Sequence, residues 1–266
     1  MFKKTYLFSI LLLLVSLHEA PLFADENPFM TRFPLKEGVI HYAIRGNTNG
    51  TRLLYFKEFG AKQLIVEEKS ADILQHRAQK KSVTLILPDA KYILDLQKHT
   101  AIKEENLPTV LYRKFQNLTP KQQHEVLKNL KLLKGRSLEN QDGICILHAK
   151  KVLDFWCNEE QIEGETKCSI ANGALVLESS IDILGYNTKM FATKIEAKEL
   201  DPSLFELPKE FHITNASGKT NTTQIMKHLL SANETLSCQP QNSRNHSGEE
   251  LHKLMFEEIQ NLSKHF

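Results

Sequence analysis

Between Gly38 and about Lys103 the chain is a succession of short runs in which apolar and polar residues alternate. They recur about every ten residues, with turn-forming residues between them. This rhythm constrains the fold more than any other feature. Successive side chains of a strand point to opposite faces, so "GVIHYAI" sets Ile40, Tyr42 and Ile44 against Val39, His41 and Ala43. "TRLLYFKEF", "KQLIVEE", "SVTLILP", "KYILDLQ" and "TAIKEE" follow, broken by Gly60 and by Pro88-Asp89-Ala90 among others. From about Ser137 to Ala197 the pattern resumes in "GICILHA", "VLDFWC", "KCSIA", "GALVLESSI" and "TKMFATKIEA". Turns are expected at Ala149-Lys150, Gln161–Gly164, Asn172-Gly173 and Gly185-Tyr186-Asn187. Consecutive strands joined this way predict a mainly β (α+β) protein built on an antiparallel sheet, with Asn172-Gly173 the strongest hairpin signal.

One interval departs from the pattern. Thr119 as N-cap, Pro120 at the first helical position and Gln122 completing a capping box predict a helix of about fifteen residues. Val126, Leu127, Leu130 and Leu133 recur on one face of it, and Gly135 ends it. A single apolar stripe has to lie on something apolar, and the open face of the sheet is the natural candidate. The segment "ATKIEAKELDPSLFELP", residues 192–208, reads as a structural latch. Phe191, Thr193, Ile195 and Ala197 share one face of a last strand, Asp201 caps a short turn begun by Pro202, and Leu204, Phe205 and Leu207 plug the open end of the sheet.

The first 24 residues carry Lys3 and Lys4, an apolar stretch from Tyr6 to Leu17, and Leu22-Phe23-Ala24 before the acidic Asp25 and Glu26. This is the layout of a signal peptide cleaved after Ala24, with an uncleaved membrane anchor as the alternative. The stretch is shorter than the roughly 20 residues a membrane span needs, and no second such run occurs. The expected organisation is therefore signal peptide 1–24, a domain over 25–208, and a polar tail over 209–266. That tail carries a short helical pattern around Gln224–Leu230 and an amphipathic terminal helix with Leu251, Leu254, Met255, Ile259 and Leu262 at helical spacing. The balance of 34 basic against 32 acidic side chains gives no electrostatic case for a nucleic-acid partner. Seven N-x-[ST] sequons, at Asn49, Asn117, Asn215, Asn221, Asn233, Asn245 and Asn261, would be glycosylation sites only in a eukaryotic secreted chain.

Export makes disulfides the expectation for Cys145, Cys157, Cys168 and Cys238. A turn centred on Ile162-Glu163 would set Cys157 opposite Cys168, within reach of a bridge. Cys145 competes for that pairing, and Cys238 has no evident partner.

Catalytic and metal signals are weak. "HEVLK", His124–Lys128, has Lys128 where a zinc helix needs its second histidine. Cys145 and His148 lie three apart in a strand and so face opposite ways. There is no G-x-S-x-G elbow, P-loop or dinucleotide glycine fingerprint. No catalytic residue, metal site or cofactor is nominated, and an enzyme is not expected.

The candidate binding residues are apolar ones on the strands: Ile40, Tyr42, Ile44, Leu54, Phe56, Leu85, Leu87, Tyr92, Leu94 and Trp156. They suit an ordinary core as well as the wall of a lipid-sized cavity. The run "GYNTKMFATKIEAKELDPSLFELP", Gly185–Pro208, resembles the final strand and closing turn of LolA-like periplasmic proteins, a superfamily of lipoprotein carriers, LppX-type lipid carriers and the RseB sensor module. The upstream order is similar over roughly residues 30–208: strands, a helix, then "G-x-C" and a strand ending in Trp. The resemblance implies a curved antiparallel half-barrel lidded by helices, enclosing an apolar cavity for acyl chains. It also implies a periplasmic location, or an extracellular one if the source is eukaryotic. The expected function is reversible binding of lipid or lipoprotein acyl chains without catalysis, with no stable membrane span after signal cleavage. The alternative is an envelope protein-interaction or sensor module with the same fold and no transported ligand.

Overall fold

In the computed structural model the described residues run from 27 to 240, apart from 31, 74–75, 134–135, 137, 139–143, 217–221 and 232–237. The expected signal segment, the expected helix stop at Gly135 and the expected C-terminal helix lie outside the described residues.

Eleven strands form where eleven were anticipated, although "VLDFWC" is divided by a turn at Leu153-Asp154. β1 (Gly38–Gly46), β2 (Thr48–Lys57), β3 (Lys62–Ile73), β4 (His76–Ile86), β5 (Ala90–Asp95) and β6 (Thr100–Glu105) precede the helices. β7 (Ile144–Val152), β8 (Phe155–Ile162), β9 (Glu165–Ile170), β10 (Leu175–Ile183) and β11 (Tyr186–Ala197) follow them. Two short strands were not anticipated, β12 (His212–Asn215) and β13 (Gln239–Pro240). The protein is mainly β, and the thirteen strands make one open sheet in the order β12-β6-β5-β4-β3-β2-β1-β11-β10-β9-β8-β7-β13. Every pairing among β1–β11 is antiparallel, whereas β12 and β13 add to the two edges in parallel. The edge strands are short, which limits the unpaired backbone they present to other chains.

The sheet buries its two faces in different places. Strand pairing runs without a register shift from β1 through β6, so faces are assigned by parity. On one face Ile40 opposes Leu54, and Gly38 opposes Phe56. These residues join Phe33, Phe155, Cys157, Ile170 and Leu177 in a core that reaches across β8–β11. On the opposite face Val39 opposes Tyr55, Leu64 opposes Leu85, and Leu85 opposes Tyr92. That second core continues through Val83, Leu94 and Ala101 and is covered by Leu200, Phe205 and Phe211.

The latch therefore works as anticipated but in a different place. Asp201 accepts the Ser203 N–H (2.9 Å) and Pro202 opens a single 3-10 turn, as the sequence suggested. Phe205 is buried on the second core with Leu207 packed beside it, while Leu204 is exposed. The segment lies over a face of the sheet instead of plugging its end. Lys57 holds it by donating to the Leu200 carbonyl (3.0 Å), and Glu37, paired with Lys57 (3.3 Å), accepts the Leu200 N–H (3.2 Å).

Three helices are described: α1 (Leu107–Gln116), α2 (Pro120–Leu132) and α3 (Thr222–Ser231). α2 was expected, and its Thr119–Gln122 capping box is present; α3 forms where a short helical pattern was expected around Gln224–Leu230, and α1 was not anticipated. Its apolar stripe packs on the other two helices and Phe29, where Leu111, Val126, Leu133, Met226 and Leu229 form a third core. This differs from the expected seat on the face of the sheet.

Residues 209–240 also depart from the tail anticipated there. β12 pairs with β6, α3 packs in the helical core, and Cys238 is bonded to Cys145. One stretch of chain thus fastens both edges of the sheet.

Candidate functional site

The ten apolar residues nominated from the sequence do not line one space. Ile40, Tyr42, Leu54 and Phe56 belong to the first core, and Ile44 is buried beside them. Leu85, Tyr92 and Leu94 belong to the second core with Leu87 against it, on the reverse of the sheet. Trp156 alternates with the buried Phe155 and Cys157 and so stands on the other side of β8, with the Lys151 ammonium 5.3 Å from its ring centroid. Most of the set is close-packed interior. The polar end of Tyr42 is used internally as well. Its hydroxyl donates to the Val176 carbonyl (2.9 Å), and burial pushes its pKa well above the ordinary phenol value.

The Cys157–Cys168 bridge forms, but its geometry differs from the anticipated one. The turn is Glu163-Gly164, both with positive φ, as a two-residue type I′ hairpin requires. The register therefore sets Glu159 against Cys168, and the disulfide runs diagonally to Cys157 with the Cα atoms 5.4 Å apart. Cys145 pairs with Cys238 at a Cα separation of 4.5 Å, so it offers no thiolate to a metal beside His148. His124 and Lys128 are exposed on α2, with Lys128 paired to Glu125 at 3.5 Å. Among the described residues, no group of three or more His, Cys, Asp or Glu side chains is placed to hold a metal ion.

Two carboxylates with little solvent exposure, Glu67 and Glu178, sit in ion-pair networks on the sheet. Burial pushes the Glu178 carboxyl up, but Lys150 (2.5 Å) and Lys189 (3.0 Å) more than reverse this and hold it below its usual range. Glu67 behaves alike between Lys69 (2.7 Å) and Arg52 (2.5 Å). Glu159 also reaches Lys150 (3.3 Å), whose pKa is raised because its two carboxylate partners outweigh its burial. These are closed ion-pair networks spanning strands. They tie β2 to β3, and β7 to β8, β10 and through Glu178 to β11.

The space suited to a ligand lies elsewhere, in a cleft of about 610 Å³ between the helical core and the β9–β10 turn. Its walls come from three parts of the chain. The segment Pro28–Arg32 contributes Phe29 and Met30, and α2 with the residues after it contributes Leu127, Leu130, Leu133 and Leu138. The β9–β10 turn contributes Ala171 and Asn172. Among the described residues of the lining, Arg32, Lys131 and Arg136 are the charged members. The volume and the apolar lining with a few polar groups are those of a small-molecule site.

Local chemistry explains each wall. Asn27 donates to the Pro108 carbonyl (3.1 Å) and accepts the Phe29 N–H (3.0 Å), which ties the N-terminal segment to α1. The Phe29 ring then meets Phe115 edge-on, with centroids 5.8 Å apart. Asn129, fully buried, donates to the Leu229 carbonyl (2.8 Å) and fixes α2 against α3. The turn Ala171–Ala174 places Ala171, Asn172 and Gly173 at positive φ, closed by Ala174 N–H to the Ala171 carbonyl (3.2 Å). Asn-Gly was legible as a turn, but nothing in the sequence alone tied it to α2. The Asn106-Leu107-Pro108 start and the i, i+4, i+8 series Leu107, Leu111 and Phe115 were signals for α1.

No family model matches the sequence, and neither does any curated protein. An uncharacterized conserved protein from Thermus thermophilus is similar in structure, at 9% identity and a TM-score of 0.41. The match covers 69% of this chain and 93% of that one. At that level the likeness carries no argument about family or function.

Proposed function

We propose that this is an exported, LolA-like binder or carrier of lipid or lipoprotein acyl chains, which acts by reversible burial without chemistry. The observation that carries the reading is the apolar cleft beside α2, where Phe29, Met30, Leu127, Leu130, Leu133 and Leu138 offer a continuous apolar lining. Each methylene withdrawn from water contributes about 0.8 kcal/mol, so an acyl chain is held without a covalent bond. Two disulfides are consistent with a secreted protein, and with the periplasmic location that the LolA-like resemblance implies. The strand–helix–strand order, with the helices between β6 and β7, is the order that the LolA-like resemblance implies. Movement of α2 relative to Pro28–Arg32 is the release step in this reading.

Native mass spectrometry of protein purified from its own exported compartment tests it. An added mass matching a lipid is expected, and that mass should be lost in Leu130→Arg protein of unchanged fold. A ligand-free protein that also takes up no fatty acid would contradict the reading.

One observation favours the second reading, an envelope interaction module. The two-residue β10–β11 turn presents Leu184 fully exposed, flanked by exposed Ile183 and Tyr186. Both Leu184 and Gly185 have positive φ, a conformation in which a leucine is rare. Cross-linking from position 184 in whole cells should then give one discrete protein adduct, lost in Ile183→Asp. No adduct, or a smear of many, would dismiss this reading.

A further inference from the structure

We propose that the chain's own C-terminal segment, residues 251–262, lies in the cleft beside α2 and has to be displaced before a ligand enters. This is a regulation of the site described above, and it rests on the acyl-binding reading for the ligand that is kept out. Residues 241–266 lie outside the described residues, and the described chain ends at Pro240 on β13.

That end points at the cleft. β13 runs parallel to β7, with Gln239 opposite Ile146 and Pro240 opposite Leu147, so the chain leaves Pro240 toward the Val152 end of β7. β7–β8 and β8–β9 are both antiparallel, so β9 runs the same way and the Ala171-Asn172 wall stands at that same end. The His148 N–H donates to the Asn158 side chain (3.0 Å), and Asn158 pairs with Ser169, which sets Pro240 about level with Ser169. Asn172 is then about 10 Å along the strands and, from β13 across β7 and β8 to β9, about 14 Å to the side. Residues 241–250 span up to about 33 Å when extended, so they cover this distance with slack. The Cys145–Cys238 disulfide fixes the origin of the segment beside β7.

The segment also suits the cleft chemically. Leu251, Leu254, Met255, Ile259 and Leu262 share one face of a helix, the spacing with which an amphipathic helix seats in an apolar groove. Phe29, Met30, Leu127 and Leu130 supply such a groove. One residue opposes the match, because Glu258 falls within the apolar stripe. Lys131, in the last turn of α2 and part of the lining, gives that carboxylate a cation to approach. Tethering adds the rest. A short linker holds its segment at an effective concentration on the order of 1 mM. With an intrinsic affinity of about 0.1 mM the segment fills the cleft about nine-tenths of the time, which weakens a competing ligand about tenfold.

The test places the photo-cross-linker p-benzoylphenylalanine at position 255 of the purified full chain. An adduct within the chain is expected on α2 around Leu127–Lys131 or on Phe29-Met30, with a yield that falls as laurate is added. In the full chain, Leu254→Asp with Ile259→Asp should abolish that adduct and bind laurate about tenfold more tightly than the parent. Adducts confined to other parts of the chain, or formed only between chains, would overturn the inference and leave acyl binding standing. Equal laurate affinity in the parent and the double variant would overturn it as well. A cleft adduct in a protein that binds no laurate would support the docked segment and overturn the acyl-binding reading instead.

Discussion

The two wings of the sheet are alike in strand pattern and opposite in how they are buried. β3–β6 pack through Leu64, Val66, Leu85 and Tyr92 on one face, under a latch of aliphatic and aromatic side chains. β8–β11 pack through Phe155, Cys157, Ile170 and Leu177 on the other, where the Cys157–Cys168 disulfide stands inside the core. β1 and β2 belong to both, with Val39 and Tyr55 serving one wing and Ile40, Leu54 and Phe56 the other. The first wing is thus closed by a noncovalent cover, and the second by cross-links. The wings should fail under different insults.

The largest effect is expected from removing Cys145–Cys238, which closes 93 residues of chain and anchors β13 to β7. Cys145→Ser with Cys238→Ser should cost up to about 4–5 kcal/mol in denaturant unfolding. Hydrogen exchange should rise first in β7 and α3; an equal rise in β3–β6 would break the contrast between the wings. Phe205→Ala comes next at about 3–4 kcal/mol, the usual cost of emptying a buried aromatic site. Its exchange signature should be the mirror image, loosening β3–β6 while β8–β10 stay protected. Cys157→Ser with Cys168→Ser should cost about 2–3 kcal/mol, because the bridge closes a short loop, and should loosen β8 and β9 alone.

Acid should affect both wings, and by less. The Glu67 and Glu178 carboxyls are held below their unfolded values, so each contributes stability that is complete above pH about 4.3 and is lost as pH falls through its folded value. Glu67→Gln should flatten the acid side of the stability profile through β3, and Glu178→Gln through β10. A profile unchanged by either substitution would show that these ion pairs contribute nothing net.

The strands, the α2 cap and one disulfide were legible because each rests on local chemistry: alternation, Thr119 with Gln122, and cysteines flanking a turn. What failed was non-local. The strand "GVIHYAI" is apolar on both sides, so alternation alone does not say which face a neighbour will bury. The Phe191, Thr193, Ile195 alternation is interrupted because Thr193 is an extra residue. His41 pairs with Lys194 and Tyr42 with Ala192, which turns Ala192 inward. The expected turn at Ala149-Lys150 falls instead at Leu153-Asp154, with the register shifting between Ile146 and Lys150. The candidate cleft was hidden for the same reason. Its described walls come from Pro28 to Met30 with Arg32, from α2 with Leu133, Arg136 and Leu138 after it, and from Ala171-Asn172, which no single periodic pattern joins.

A photoactivatable fatty acid, cross-linked to the full chain and mapped by peptide mass spectrometry, tests the central claim most directly. The account predicts label on α2 around Leu127–Lys131 and on Pro28–Arg32, competed by unlabelled laurate. Label on the strand residues Ile40, Tyr42 or Leu85, or no competable label at all, would contradict it.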